Sequence, residues 1–402
     1  MSAPKNIAIF LDGTWNTPAS HTNVFKLYVD TSESPTQIKK YFKGVGTTWW
    51  ETISGGIFAE GMTDIIRRVY DYLVQRYVPG DKVFLFGFSR GAFEVRALIG
   101  FLDICGLVHP DCPVSVDALW AYYEKVNVDL LAKSLEDLLN TPAADVPNLS
   151  PFEKAMRAHC KLISLTFVGV FDVVAADPNS TRHMYGQNLQ SVERICHAMA
   201  IDEHRLPFQV MTFDDPPQRF AERDVRNVPD DCTDWRMEKK ALHHIEQRWF
   251  VGAHSNVGGG FSETDVLCDV PRHWIQKCAI AQGLAFDRLV ELDGTEHLRS
   301  PDQMTLDWRQ WAMQAAWKHF RPLGASSSFN QTIDRTVFER YQDKAMGYEG
   351  APKNLIEWAK DKKVDLSTIE PAHIWIDTGG IVNHDPNSVS RHIPRAKQEN
   401  KK

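Results

Sequence analysis

The pentapeptide Gly87-Phe88-Ser89-Arg90-Gly91 sets a serine between two glycines, directly after an apolar run and directly before a helical pattern. A serine hydroxyl is a weak nucleophile at neutral pH and needs a base beside it. Where a strand turns sharply into a helix, flanking glycines let the chain present that hydroxyl at the turn, and the first helical amides face a developing oxyanion. Gly-x-Ser-x-Gly in this setting predicts attack on an acyl carbon, with Ser89 as nucleophile. The acid and then the base should follow along the chain. His254 lies in Gly252-Ala253-His254-Ser255-Asn256-Val257-Gly258-Gly259-Gly260, just after the apolar segment Gln247–Val251. A histidine on a glycine-rich loop at a strand's carboxyl end can reach the serine, so His254 is the expected base. Asp172 ends the run Lys161–Phe171 and is the expected orienting acid, accepting the second imidazole N–H. Asp202 and Glu203 are its rivals; they follow a helical pattern and read as structural or rim ion-pair residues.

Asp12-Gly13-Thr14-Trp15-Asn16 closes the first apolar run. In a parallel sheet this loop falls at the same edge as Ser89, Asp172 and His254, where sites gather. The Arg90 N–H is the expected first donor of an oxyanion hole, and the N–H groups of Gly13 and Thr14 are candidates for the second. Asp12, Trp15, Trp49 and Trp50 are candidates for substrate contact, against the alternatives of an Asp-Gly turn and of tryptophans packed in the core. No metal or cofactor is expected. Gly44-Val45-Gly46-Thr47 is not followed by the Gly-Lys-Ser/Thr of a phosphate loop.

The elements that must position these residues alternate in kind. Asn6–Leu11 reads as a buried strand, Gly61–Tyr77 as a helix of 3.6-residue period, Lys82–Phe86 as a second strand and Gly91–Asp103 as a second helix. That alternation predicts an α/β fold of α/β-hydrolase type, with a mostly parallel sheet flanked by helices. Residues 110–150 are richer in Pro, Asp and Asn, with helical pieces at Val116–Asn127 and Ala132–Leu139. They read as a helical insertion, either a lid or a packed excursion. Sheet rhythm returns at Lys161–Phe171. Gln187–Ala200 reads as an amphipathic helix, Phe208–Phe213 and Gln247–Val251 as strands, and Cys268–Gln282 as a helix. Beyond Arg321 the pattern is irregular, with a late strand at Ile374–Ile376. A single domain over 1–402 is the expected organisation.

The chain of 402 residues carries 43% apolar and 24% charged residues, an ordinary globular composition. Its net charge of −7 gives no electrostatic reason to expect a nucleic-acid partner. Seven cysteines without a Cys-x-x-Cys pair point to free thiols in a reducing compartment. No apolar run approaches a membrane span, and the apolar run Ile7–Leu11 is too short for a signal peptide. Synthesis as a cytoplasmic protein is expected, with export left to a machine that needs no signal peptide.

Six segments carry a family resemblance: Asp12-Gly13-Thr14-Trp15-Asn16, Gly44-Val45-Gly46-Thr47, Gly87-Phe88-Ser89-Arg90-Gly91-Ala92-Phe93, Gly169-Val170-Phe171-Asp172, Ala200-Ile201-Asp202-Glu203 and Trp249 to Gly260. In this order, over roughly Asn6 to Asp287, they resemble the type VI secretion phospholipase effector family, first type. The resemblance implies an α/β-hydrolase fold and a triad of Ser89, Asp172 and His254. It further implies hydrolysis of fatty acyl esters in membrane glycerophospholipids, and for an effector a secretion spike and an immunity protein as partners. Two positions depart from the family pattern: Asn256 stands where the family usually has Asp, and Phe171 where it usually has Trp. The competing expectations are an esterase or thioesterase on a small soluble substrate and a non-catalytic binding module of the same fold.

Overall fold

Asn6–Leu11 forms β1, and its side chains divide by parity. Ile7, Ile9 and Leu11 enter one apolar cluster, while Ala8 and Phe10 enter another. A strand buried on both faces lies in the middle of a layered α/β structure. The computed structural model describes residues 3–13, 16–44, 56–126, 133–174, 191–205, 208–213, 245–261, 266–296, 320–324, 330–343, 352–377 and 379–381.

In chain order the elements are β1, α1 (Asn23–Asp30), β2 (Gln37–Phe42), α2 (Gly56–Arg76), β3 (Lys82–Phe88) and α3 (Arg90–Cys105). Next come β4 (Leu107–Val108), α4 (Val116–Val126), α5 (Leu135–Leu139), α6 (Pro151–His159), β5 (Cys160–Lys161) and β6 (Phe167–Phe171). The chain continues with β7 (Ile195–Ala200), β8 (Ile245–Phe250), α7 (His254–Gly258), α8 (Asp269–Ala281), β9 (Gln331–Ile333), α9 (Arg335–Gln342), α10 (Lys353–Lys362) and β10 (Ile374–Trp375). Among the described residues eight strands make one sheet in the order β10-β9-β8-β7-β6-β3-β1-β2. Every pair is parallel except β9 with β10. The fold is α/β, a mostly parallel sheet flanked by helices.

On one face α2, α3, α4 and α5 bury residues such as Tyr70, Phe101, Trp120 and Leu138 against the first set of β1 side chains. On the other, α1 and α8 pack Val24, Leu27, Ile275 and Ala279 against Phe10, Phe86 and Phe167. The described part of residues 110–150 joins the first layer. The Trp120 ring meets Phe101 edge-on at 5.2 Å, and Leu135 and Leu138 are fully buried.

The structure corrects several sequence expectations. Ile195–Ala200 is not the end of a helix but β7, paired with β6 on one side and β8 on the other. All six of its residues are buried, so the run has no polar face and offers no period to read. Phe208–Phe213 forms no strand. Val210 makes one antiparallel bridge to Val174, because the sheet position beside β7 is already held by β8. The run Lys161–Phe171 is divided: Cys160–Lys161 pairs antiparallel with β4, and only Phe167–Phe171 enters the main sheet. The region beyond 321 is not irregular throughout, since it supplies β9, β10, α9 and α10. Their Val337, Phe338, Leu355 and Trp358 cover Met199 and Trp249 at the far end of the sheet.

Candidate active site

Strand order decides where the site lies. From β1 the chain crosses to β2 on one side and then returns to β3 on the other, so the carboxyl ends of β1 and β3 flank a topological switch point. Ser89 stands there, between β3 and α3. Its backbone is at φ 57° and ψ −122°, a region that side chains other than glycine rarely occupy. Such strain persists only where the surroundings over-determine it. Here the Ser89 N–H donates to the Phe171 carbonyl at 3.0 Å, and the Ser89 carbonyl accepts from Phe93 N–H at 3.2 Å. The two flanking glycines are required by close approach. A Cβ at Gly91 would lie 2.4 Å from the Leu11 carbonyl oxygen, and one at Gly87 would lie 2.6 Å from the Ala92 Cα. The helix start is thus pressed onto the ends of β1 and β3, and that contact aims the serine.

His254 reaches Ser89 from the first residue of α7, not from an extended loop. Its Nε2 lies 2.8 Å from Ser89 Oγ and its Nδ1 2.6 Å from Asp172 Oδ2. The ring is held between Phe88, at 4.7 Å and 32°, and the edge of Phe208, at 4.9 Å and 62°. Gly258 makes room for the first of these, since a Cβ there would sit inside the Phe88 ring. Burial pushes the imidazole below the usual histidine value, against the hydrogen bond and charge of Asp172 and the charge of Glu203. With an ionised Asp172 the proton sits on Nδ1, which leaves Nε2 to accept the Ser89 hydroxyl.

Asp172 follows β6 with φ 41° and no exposed surface. Burial alone would raise its carboxyl. The charge of Arg321 and the bonds from His254 and Arg321 more than offset burial, and hold it well below the usual carboxylate range. Oδ1 accepts from Ala200 N–H at 2.9 Å and Arg321 Nη1 at 2.6 Å; Oδ2 accepts from Arg321 Nη2 at 2.9 Å as well as from His254. Arg321 is a site residue that sequence reasoning missed, and nothing local in Phe320-Arg321-Pro322 signals it.

The rival acids take other places. Glu203 accepts the His254 backbone N–H at 3.2 Å and is gripped by the Arg205 guanidinium at 2.7 and 2.9 Å. Burial opposes ionisation there, but Arg205 brings its carboxyl down to about 2. Asp202 accepts from Gly252 N–H at 2.7 Å. Both therefore anchor the turn that carries His254. Asn256, in the first turn of α7, accepts from the Ala253 N–H at 3.0 Å, so an amide oxygen reaches back to the residue that precedes the helix.

Asp12 is turned into the fold. It is 1% exposed and accepts from Gly13 N–H at 2.8 Å, Thr22 Oγ1 at 2.6 Å and Tyr41 hydroxyl at 2.7 Å. Burial raises its carboxyl, and those bonds work against the rise. The Gly13 N–H, a candidate oxyanion donor, is thus already engaged by Asp12. Gly13 still adjoins Ser89: a Cβ on it would lie 3.1 Å from the Ser89 Cβ. Arg90 opens α3, one residue ahead of the expected helix start at Gly91. Thr14, Trp15, Trp49 and Trp50 lie outside the described residues. Among the described residues no group of three or more His, Cys, Asp or Glu could hold a metal ion, and no helix is long and apolar enough to cross a membrane.

The model of the catalytic domain of Tle1-like type VI secretion phospholipase effectors matches residues 5–278. An uncharacterized protein of Saccharomyces cerevisiae is 28% identical over 256 residues, which cover 58% of this chain and 36% of that protein. The chain thus spans about a third of the length of the curated relative it matches. A solved Tle1 effector bound to the VgrG spike is similar with TM-score 0.32 and 15% identity, over 64% of this chain and 51% of that one. An uncharacterized protein from Pseudomonas aeruginosa is similar with TM-score 0.38 and 16% identity, over 78% of this chain and 50% of that one. A peroxisomal α/β-hydrolase of Saccharomyces cerevisiae, Lpx1, gives TM-score 0.26 and 12% identity, over 78% and 85%.

Proposed function

The chain belongs to the Tle1-like phospholipase effector family of type VI secretion, and from that premise we propose that it is a serine hydrolase releasing fatty acid from glycerophospholipid. The observation that carries this reading is the relay Ser89 Oγ, His254 Nε2, His254 Nδ1, Asp172 Oδ2, with spacings of 2.8 and 2.6 Å. Those are the distances at which a base takes a hydroxyl proton and an acid steadies the resulting imidazolium.

Ser89 Oγ attacks the ester carbonyl as its proton passes to His254 Nε2. Negative charge develops on the carbonyl oxygen at the start of α3, where the Arg90 N–H and the helix dipole favour it. His254 returns the proton to the departing lysophospholipid oxygen, leaving an acyl-Ser89 ester. Water then repeats the sequence with His254 as base and releases the fatty acid. Family membership also supports delivery by a secretion spike after synthesis in the cytoplasm, and an immunity protein in the producing cell.

The test is hydrolysis of phospholipid vesicles and of a short p-nitrophenyl ester by wild type and Ser89→Ala. Loss on both of about 10⁶-fold in kcat is expected. Full activity in Ser89→Ala would remove Ser89 from the nucleophile's role. Turnover of the short ester alone would make the protein an esterase of small soluble substrates.

A further inference from the structure

Asp172 has a partner that a serine–histidine–acid relay does not require. Arg321 is fully buried and meets both carboxylate oxygens, Oδ1 at 2.6 Å and Oδ2 at 2.9 Å. Its remaining Nη protons go to the carbonyls of Ala200, at 2.8 Å, and Phe208. The same guanidinium therefore ties Asp172 to the end of β7 and to the residue whose ring flanks His254. Its own backbone is held in turn: Asn354, buried near the start of α10, donates to the Arg321 carbonyl at 3.0 Å and the Ile201 carbonyl at 3.1 Å. Arg321 and Asn354 both lie beyond the residues matched by the family's catalytic domain.

We propose that Arg321 is a positioning residue for acyl transfer, a clamp that fixes the rotamer of Asp172 and cancels part of the negative charge His254 faces. The proposal rests on Ser89, His254 and Asp172 acting as the catalytic relay. A planar fork bonded to both oxygens leaves the carboxylate one orientation, which a lysine, a point charge, does not enforce. Charged and titratable neighbours surround His254 on both sides. Glu203 and Arg205 face it from the loop after β7, while His197 of β7 and Arg96 of α3 lie on the side of Asp172. Glu203 is already matched by Arg205, and Arg321 does the same for Asp172. Histidine thus sits between two neutralised acids and stays an unprotonated base to lower pH than one facing a bare carboxylate.

The experiment is the pH dependence of kcat/KM on a p-nitrophenyl ester for wild type, Arg321→Met, Arg321→Lys and Ser89→Ala, with thermal melting to verify folding. Arg321→Met should lose on the order of 10²-fold in kcat and move the acid limb upward by about one pH unit. Arg321→Lys should keep the wild-type limb but lose about tenfold in kcat, because charge is retained and the fork is not. A rate loss in Arg321→Met with an unmoved limb would reduce Arg321 to a structural residue and overturn the proposal, as would wild-type behaviour. Should Arg321→Met fail to fold, Arg321→Lys decides: wild-type kcat overturns the clamp, and the partial loss sustains it. If Ser89→Ala remains active, the relay itself is wrong, an outcome distinct from any shown by the Arg321 variants.

Discussion

Asp172→Asn does two kinds of damage that separate cleanly by measurement. The amide cannot hold the imidazole in the required tautomer, so kcat should fall by about 10⁴-fold. It also leaves the Arg321 guanidinium buried without its counter-ion, which should lower folding stability by about 3–5 kcal/mol in denaturant titration. A loss of rate at wild-type stability would mean that the ion pair is not formed in solution. His254 supplies a second check. The proposed mechanism needs the neutral imidazole, and burial depresses its titration. The acid limb of kcat/KM should therefore lie below about 6.5, the ordinary histidine value. A limb at or above that value would contradict the burial. At this scale much was legible from residue type and order. Ser89, Asp172 and His254, which the fold brings together, could be picked out from the sequence, because each lies at or shortly after the end of an apolar strand run and the three occur in the order expected of a nucleophile, acid and base. Arg321 was not legible, because a single arginine in a weakly patterned stretch has no spacing that links it to an aspartate so far back in the chain. The orientation of Asp12 was hidden for a similar reason: its donors Thr22 and Tyr41 meet it through the fold.

Elements transmit precision to these residues through backbone contact. The start of α3 rests on the last carbonyls of β1 at Gly91, with no space for a methyl group. Gly91→Ala should lift that helix end, costing about 1–3 kcal/mol of stability and roughly 10²-fold in kcat through displacement of Ser89. Stability and ester hydrolysis measured on the same sample would check it; a variant of wild-type rate would show that the contact does not aim the serine. The strands and helices that could be read from sequence were those with a clear period or sharp ends. β1 ends at an Asp-Gly pair, and α2 carries Met62, Ile66, Val69 and Leu73 on one buried face. β7 was misread because Ile-Cys-His-Ala-Met-Ala is buried all round and contains modest helix formers. Its identity is set by β6 and β8 on either side, which is information that resides in the sheet.

Over the whole molecule, burial of histidines makes stability depend on pH. His197, His254, His273 and His373 are each lowered from the ordinary value with burial as the first cause, His197 to about 3. Below about 6.5 the unfolded chain binds protons that the folded chain refuses, so the folded state loses stability as pH falls through that value. The depressed carboxylates Asp172, Glu203 and Asp334 add their loss later, below about 4. Thermal midpoints should therefore begin to drop near pH 6.5 and steepen near pH 4; a flat profile down to pH 5 would contradict the histidine burial. The general architecture was visible in the alternation of strand and helix. The share taken by residues after 321 was not, although they complete one end of the sheet through β9 and β10. That arrangement matters for a chain born at one end. A ribosome at 5–20 residues per second delivers Ser89, Asp172 and His254 on the order of seconds before Arg321. Through that interval the emerging chain lacks the last member of the Asp172 cage, which closes only once Arg321 has left the ribosome.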